Sequence, residues 1–318
     1  MSLENLHKAT AKADLNQVKF LLESNNIKKG SFRLALQNSI KDKKNRDTDI
    51  NKEIFSLILD YNLKHNIVSN MELFNAFKDA MASKDSFFIK NLLKEYNLHQ
   101  IVSNGFKLDQ KKSIDNLITL FYMAGRFNKT ENVKILIQHN EIENICGDFK
   151  SKSYQNFILS CLDKFVKYGN SPSYLYFWND FLIDKDTTSF IEHIELSIKN
   201  NFQRVTILLI DYLNLGYKDT LSYIKLCFSE GRLHTCKKLV EKHKNQIKLD
   251  DDKFFNRMFS NVYQYPAINK DFISFINFLD SESIFQVGNV VRIIYDSNYT
   301  YLKSLFKKEY LQNKIATF

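Results

Sequence analysis

Apolar residues recur along this chain at the three- and four-residue spacing of amphipathic helices. The segment Val18–Leu22 shows the pattern near the start, and the pattern continues almost throughout. Helix starts are also predicted, because Ser69–Glu72 and Ser189–Glu192 have the spacing of capping boxes and Asp14–Gln17 has a related one. No strand alternation of comparable length competes with these signals. The sequence therefore predicts an all-α protein.

A shorter pattern, apolar-x-x-apolar-apolar, returns where the second helix of successive helix pairs is expected. The last residues of successive occurrences are 27 to 45 positions apart, with a mean of 35.5. This mean lies in the range of helix-pair repeats. This spacing predicts a solenoid of about eight to nine irregular helix-turn-helix repeats. The occurrences are Val18–Leu22, Phe55–Leu59, Ile89–Leu93, Val133–Ile137, Trp178–Leu182, Val205–Leu209, Cys236–Val240, Phe275–Leu279 and Leu302–Phe306.

The segment Leu6–Asn25 resembles the middle of an ankyrin repeat. It contains Leu-His-Lys-Ala, then Ala13-Asp14, then Val-Lys-Phe-Leu-Leu, where ankyrin repeats have Leu-His-x-Ala, Gly-Asp and Val-x-x-Leu-Leu. Similar units begin at Ala124, Ile198 and Ser229. The resemblance implies an ankyrin-like stack of helix pairs. The Thr-Pro turn that opens ordinary ankyrin repeats is absent, so projecting β-hairpins are not assumed.

Breaks in the pattern suggest how the chain is divided. The clearest is Gly169–Ser173, which contains Pro172, and it predicts helical arrays at residues 1–168 and 169–318. A solenoid could also cross this break without a domain junction. Polar insertions are expected at Lys41–Asp49, Ser103–Ser113 and Glu143–Ser153.

Composition narrows the function classes. Eight glycines and two prolines in 318 residues disfavour β-rich folds and Gly-rich phosphate loops. The net charge of +9 comes from 45 basic and 36 acidic residues, but only seven of the basic residues are Arg. Because phosphate and base recognition favours the Arg fork, dispersed Lys indicates a solvated surface more than a nucleic-acid site.

Candidate chemistry is sparse. Four cysteines without a CxxC pair predict no disulfide framework, and a cytoplasmic protein is expected because no secretory or membrane-spanning stretch is visible. Asp250–Asp252 is interpreted as helix capping, and the seven histidines lie in no catalytic motif. The sequence therefore predicts a non-enzyme without a cofactor or metal. One group of residues has the side chains of a zinc site, but its spacing differs from that of known zinc sites. The group consists of Cys227, His234, Cys236 and His243.

Aromatic residues beside the breaks are the candidate partner-binding residues. Tyr174, Tyr176 and Trp178 follow Pro172, and Tyr263 and Tyr265 precede Pro266. Interface hot spots favour Trp and Tyr, which supports contact with a partner. Aromatic rings also dominate cores, so the alternative is that these rings fill an imperfect helix junction.

The resemblance implies a function of recognition. Degenerate ankyrin-like proteins of intracellular bacteria and large DNA viruses act on host proteins or on other effectors, as adaptors or inhibitors. The chain is therefore expected to be a monomeric, non-catalytic module without a membrane span, which binds a protein partner on the concave surface of its stacked repeats. Two other classes stay open: a helical-repeat nucleic-acid binder and an enzyme with a dispersed site.

Overall fold

The structure, a computed structural model, describes residues 5–24, 27, 29–40, 48–103, 110–183, 190–246, 274–275, 277–279 and 282. Over these residues the chain is helical and contains no strand, so the all-α prediction is confirmed there. The helices of this described part are α1 (Asn5–Lys12), α2 (Leu15–Glu23), α3 (Lys29–Ile40), α4 (Thr48–His65), α5 (Asn70–Ala82), α6 (Phe87–Glu95), α7 (Leu98–Val102), α8 (Gln110–Arg126), α9 (Thr130–Ile137), α10 (Glu141–Cys146), α11 (Lys152–Tyr168), α12 (Ser171–Asp180), α13 (Phe190–Lys199), α14 (Gln203–Tyr212), α15 (Tyr217–Ser229) and α16 (Leu233–His243).

The chain divides into two compact units, Met1–Lys185 and Asp186–Phe318. In the first unit, five consecutive helix pairs pack side by side. Their first helices form one row, in which α1 contacts α3, α3 contacts α5, α5 contacts α8 and α8 contacts α11. Their second helices form another row, in which α2, α4, α6, α9 and α12 contact one another in that order. We call these the first and second rows.

Short helices occupy links between pairs. α7 follows the pair α5–α6 and contacts α5 and α8, and α10 follows the pair α8–α9 and contacts α7, α8 and α11. Glu141, the first residue of α10, accepts a hydrogen bond from the His99 amide of α7 at 3.1 Å. The predicted insertion at residues 143–153 is thus partly helical, because Ile142, Ile145 and Cys146 are buried.

The second unit contains the pairs α13–α14 and α15–α16. Here too the first helices contact each other, as do the second helices. Phe228 of α15 packs against Phe275, with ring centroids 6.3 Å apart. Buried Phe275, Phe278 and Leu279 extend this apolar core beyond α16.

Among the described residues, five helix pairs share one turn geometry. The first helix ends at a residue with positive φ, and the next residue donates its amide hydrogen to the carbonyl five residues before it, as in a Schellman motif. Asn and Gly favour this left-handed backbone, and Asn takes it at two of the five turns. The positive-φ residues are Ala13, Asn128, Gly169, Asn201 and Gly231. The recurring bonds are Asp14 to Ala9, Lys129 to Ala124, Asn170 to Phe165, Phe202 to Ser197 and Arg232 to Cys227, at 2.7–3.0 Å.

The predicted break at Gly169–Ser173 is one of these turns and lies inside the first unit. Gly169 ends α11 at φ 99°, and the Asn170 side chain accepts a hydrogen bond from the Ser173 amide at 2.9 Å. Pro172 lies in the first turn of α12, where the missing N–H costs no helical hydrogen bond. This proline therefore starts a helix, and the compact unit continues past residue 168 to Lys185.

The shared turn fixes the register of the second helices. Val18, Val133 and Cys236 stand five residues after the positive-φ residue and are fully buried, as the repeat pattern predicts. In two pairs the buried position five residues after the turn is not the first residue of the pattern, although Trp178 and Val205 are buried as well. The equivalent buried position is Tyr174 in α12, four residues before Trp178, and Thr206 in α14, one residue after Val205.

Candidate functional site

Three of the predicted partner-binding aromatics lie on α12, and two of them are core residues. Tyr174 is 0% exposed and Trp178 is 3% exposed, with ring centroids 6.1 Å apart and nearly parallel planes. Burial raises the pKa of the Tyr174 hydroxyl above its ordinary value. These two side chains offer no surface to a partner, because the register of α12 turns them inward.

Tyr176 is half-buried and already has partners from its own unit. Its hydroxyl accepts a hydrogen bond from Gln138 at 3.2 Å, and Lys134 lies over its ring, 5.6 Å from the centroid. Its ring also packs edge to face with Phe181. Tyr176 therefore joins α12 to α9. Tyr263 and Tyr265 lie outside the described residues.

An exposed aromatic and cationic surface lies elsewhere, where α8 and α11 end beside each other in the first row. We call it the Tyr122–Tyr168 patch. Phe127 is 46% exposed and Tyr168 is 41% exposed. The rings of Tyr122 and Tyr168 meet edge to face with centroids 4.7 Å apart. The patch consists of Tyr122, Arg126, Phe127, Lys167 and Tyr168.

The cations of the patch are held against its rings. Arg126 donates a hydrogen bond from Nη1 to the Tyr122 hydroxyl at 3.3 Å, and its guanidinium lies 5.7 Å from the centroid of Phe127. Lys167 lies 5.7 Å from the centroid of Tyr168. Cations over aromatic faces contribute on the order of 0.5–1 kcal/mol at exposed sites, which favours a fixed arrangement of these side chains.

A close helix contact brings the two halves of the patch together. A Cβ placed on Gly125 of α8 would lie 2.9 Å from Cδ1 of Phe165 on α11. Because glycine has no side chain, the Phe165 ring packs directly on the α8 backbone. Tyr122 lies one turn before Gly125, and Tyr168 lies one turn after Phe165. The aromatic contact of the patch therefore depends on this packing.

The patch has a sequence signal that the hydrophobic pattern does not detect. Arg126-Phe127 and Lys167-Tyr168 are both basic-aromatic dipeptides, and each directly precedes a positive-φ turn residue. The residues before Ala13, Asn201 and Gly231 do not follow this pattern. The recurrence in two neighbouring pairs distinguishes α8 and α11 from the other described pairs.

A groove lies between α14 and α16 in the second unit. It has a volume of about 820 Å³, with Ile207 and Leu208 at its apolar part. Its basic groups are partly neutralised, because Lys242 pairs with Asp211 and Lys238 pairs with Glu241. The lining residues are Gln203, Arg204, Ile207, Leu208, Asp211, Lys238 and Lys242.

The four residues of the candidate zinc arrangement do not form one set of ligands. Cys227 and Cys236 are buried, and the Cys236 thiol donates a hydrogen bond to the Ile224 carbonyl at 3.7 Å. His234 is exposed, and His243 contacts Gln246 through Nδ1 at 3.3 Å. Over the part of the chain that the structure describes, no three His, Cys, Asp or Glu side chains are placed to hold a metal ion.

The cysteines are also poorly suited to nucleophilic chemistry. All four are free and buried. Burial raises the pKa of the Cys146 and Cys227 thiols to about 12, and it raises the pKa of Cys161 and Cys236 as well. Because the thiolate is the reactive form, these side chains are packing groups at neutral pH.

None of the helices in the described ranges combines the length and apolar character needed to cross a bilayer. No family model, curated protein or solved structure matches this chain.

Proposed function

We propose that this chain is a non-catalytic protein-interaction module whose helix pairs stack as an irregular, ankyrin-like solenoid. The recurring turn supports this proposal, since one backbone geometry and one hydrogen bond return at five helix pairs. Contacts along each row also support it, because each pair packs on the next in sequence. In such stacks, side chains facing away from the neighbouring pairs can vary while the core is kept.

The observation that carries the proposal is the Tyr122–Tyr168 patch. Tyr and Arg are enriched among residues that dominate binding energy at protein interfaces. Here Tyr122, Tyr168 and Arg126 lie together on first-row helices, beside exposed Phe127. Clustered exposed rings on a soluble surface indicate a site of association.

The ankyrin-like resemblance adds a cellular location and a role to this proposal. A protein of this kind acts in the cytoplasm as an adaptor or inhibitor, and as a secreted effector it would act in the host cytosol. The chain itself is proposed to be a monomer that binds one protein partner. Cofactors and metals have no part in this function.

Affinity purification of the tagged full chain from host and source-organism lysates tests the proposal. The wild type is compared with Tyr122→Ala/Tyr168→Ala and with Phe20→Ala, which removes a ring that is 52% exposed on the second row. We expect a specific polypeptide to be enriched by the wild type and by Phe20→Ala and lost from the double variant. Failure to enrich any polypeptide that depends on the two tyrosines would overturn the proposal.

A further inference from the structure

We propose that Cys227 of α15 and Cys236 of α16 form a disulfide when the chain is oxidised, and that this link clamps the helix pair. Both cysteines are free and buried in the structure, which shows the reduced form of the pair. The geometry of the turn at Gly231, and its match with the turn at Asn201, carry the proposal. Such a link is independent of the proposed interaction function.

Two backbone hydrogen bonds through Arg232 connect the two cysteines. The Arg232 amide donates to the Cys227 carbonyl at 2.7 Å, and the Cys236 amide donates to the Arg232 carbonyl at 2.9 Å. The cysteines are therefore held near each other across the turn, although they are nine positions apart in the sequence. A disulfide requires this kind of proximity, because its two Cα atoms must lie within about 7 Å.

The preceding helix pair shows how closely side chains meet at these two positions. There the Phe202 amide donates to the Ser197 carbonyl at 2.7 Å, and the Thr206 amide donates to the Phe202 carbonyl at 2.9 Å. Ser197 and Thr206, like the two cysteines, stand four residues before and five residues after the positive-φ residue. Their hydroxyl oxygens are 2.8 Å apart. The same backbone bonds therefore place the side chains of Cys227 and Cys236 to meet in the same way.

The Cys236 sulfur lies against the helix that carries Cys227. Its thiol donates to the Ile224 carbonyl at 3.7 Å, and Ile224 lies about one turn before Cys227 on α15. In the preceding pair, the corresponding carbonyl of Ile194 accepts from the hydroxyl of Ser197, which stands at the position of Cys227. Side chains from both positions thus reach the same carbonyl. Burial raises the pKa of Cys236, and the nearby Cys227 raises it further.

A peroxide is the oxidant of the proposed reaction. Hydrogen peroxide converts one thiol to a sulfenic acid and releases one water. The second thiol then attacks the sulfenic sulfur, the S–S bond forms, and a second water leaves. Burial raises the pKa of Cys227 to about 12 and raises that of Cys236 as well, so the reactive thiolate is scarce at neutral pH. We therefore expect the link to form slowly, through brief local openings of the pair.

The link would stabilise the helix pair α15–α16. A disulfide acts chiefly by restricting the unfolded chain, and the restriction is modest here because only a short loop is closed. The helix α16 also forms one wall of the groove described above, through Lys238 and Lys242. Oxidation would therefore fix this wall of the groove on α15.

Peptide mass spectrometry of the oxidised full chain tests the proposal. The folded, reduced chain is treated with hydrogen peroxide, its remaining thiols are alkylated, and it is digested with trypsin without reduction. Trypsin cuts after Arg232, between the two cysteines, so a disulfide joins two separate peptides. Cys227→Ala removes the link, whereas Cys146→Ala/Cys161→Ala leaves only the two cysteines of the proposed pair.

We expect joined peptides from the wild type and from Cys146→Ala/Cys161→Ala, and none from Cys227→Ala. Peroxide should change the melting temperature of the wild type more favourably than that of Cys227→Ala, by at least about 2 °C. This comparison cancels methionine oxidation, because both chains contain the same methionines. Dithiothreitol should reverse the link and the shift.

Three results would overturn the proposal. The folded wild type could yield no joined peptide, or peroxide could link only other cysteine pairs. The link could also form and lower the melting temperature relative to peroxide-treated Cys227→Ala, which would show that the two thiols do not face each other in the folded chain.

Discussion

Gly125 of α8 lies directly against the ring of Phe165 of α11, so closely that an added Cβ would be 2.9 Å from Cδ1. This contact joins two neighbouring first-row helices whose outer surfaces carry Tyr122 and Tyr168. The packing of the core and the geometry of the candidate interaction surface therefore depend on the same pair of residues.

Gly125→Ala should destabilise the chain, because either the Phe165 ring or α8 must move to admit the methyl group. Overpacking of this kind costs about 1–3 kcal/mol. Gly30→Ala is the control, since nothing lies within 4 Å of its added Cβ. We expect this control to be neutral or slightly stabilising. Urea denaturation followed by circular dichroism measures both variants, and equal midpoints would contradict the packing argument.

The Asn132 side chain of α9 hydrogen-bonds to carbonyl groups at the C-terminal end of α5. Its side-chain amide is buried and donates to the carbonyls of Ala80, Met81 and Ser83 at 2.9–3.1 Å. Asn132→Ala leaves these buried acceptors without their donor, which should cost about 1–3 kcal/mol. The control is Asn144→Ala at an exposed position of α10, where no loss is expected. Thermal unfolding distinguishes the two.

Asn132→Asp gives this prediction a pH dependence. A buried carboxylate facing carbonyl oxygens is repelled, so burial should raise its pKa above the ordinary value of about 3.9. The neutral acid is then favoured in the folded state, and the variant should regain stability as the pH falls toward 4. A loss of stability that is constant between pH 4 and pH 8 would contradict the assigned hydrogen bonds.

The Lys52–Asp85 ion pair predicts an opposite pH effect. Lys52 Nζ lies 2.8 Å from Asp85, and the Phe87 amide donates to the same carboxylate at 2.9 Å. Burial alone would raise the pKa of Asp85, but these hydrogen bonds outweigh it and lower the pKa. The pair therefore stabilises the fold above about pH 4 and is lost as the pH falls through the lowered pKa.

Asp85→Asn should accordingly lower the melting temperature at pH 7 and lower it less near pH 3, where part of the contribution of the pair is lost. In a Lys52→Met background the same substitution should have a smaller effect at pH 7, because the lysine partner is already absent. Equal effects of Asp85→Asn at both pH values would show that the ion pair does not contribute.

Trp178 and Tyr168 should respond to truncation in different ways. Trp178 is 3% exposed, so Trp178→Ala opens a cavity in the core at a cost of about 3–5 kcal/mol. Tyr168 is 41% exposed at the end of α11, and Tyr168→Ala should cost less than about 1 kcal/mol. Chemical denaturation tests the contrast. A Trp178→Ala variant as stable as Tyr168→Ala would contradict the register of α12.

The sequence was most informative where side-chain chemistry acts locally. Ser69 and Glu72 form the predicted capping box, and the Asp14 side chain accepts from the Gln17 amide as expected. Ser189 lies outside the described residues. In α12 and α14 the pattern begins at Trp178 and Val205, which are buried, but these are not the residues five positions after the turn. The positive-φ turn at Gly169 or Asn201, which sets the true register, is a backbone feature that apolar periodicity does not report.

The candidate site was harder to predict, for a physical reason. Tyr174 and Trp178 have the composition of a binding site, but burial depends on which way α12 is turned. The Tyr122–Tyr168 contact joins two residues that are 46 positions apart in the sequence. It depends on Gly125 having no side chain. Only the repeated basic-aromatic dipeptide before the turn was visible in the sequence, and its meaning required the packing of α8 on α11.

Site-specific photo-crosslinking tests the proposed interaction surface most directly. Phe127, in the patch, and Phe20, exposed on the second row, are each replaced by p-benzoylphenylalanine in the full chain. After irradiation in host or source-organism lysate, the account predicts a crosslink from position 127 to one polypeptide and none of that species from position 20. The same product from both positions, a nucleic-acid crosslink, or no product from position 127 would contradict it.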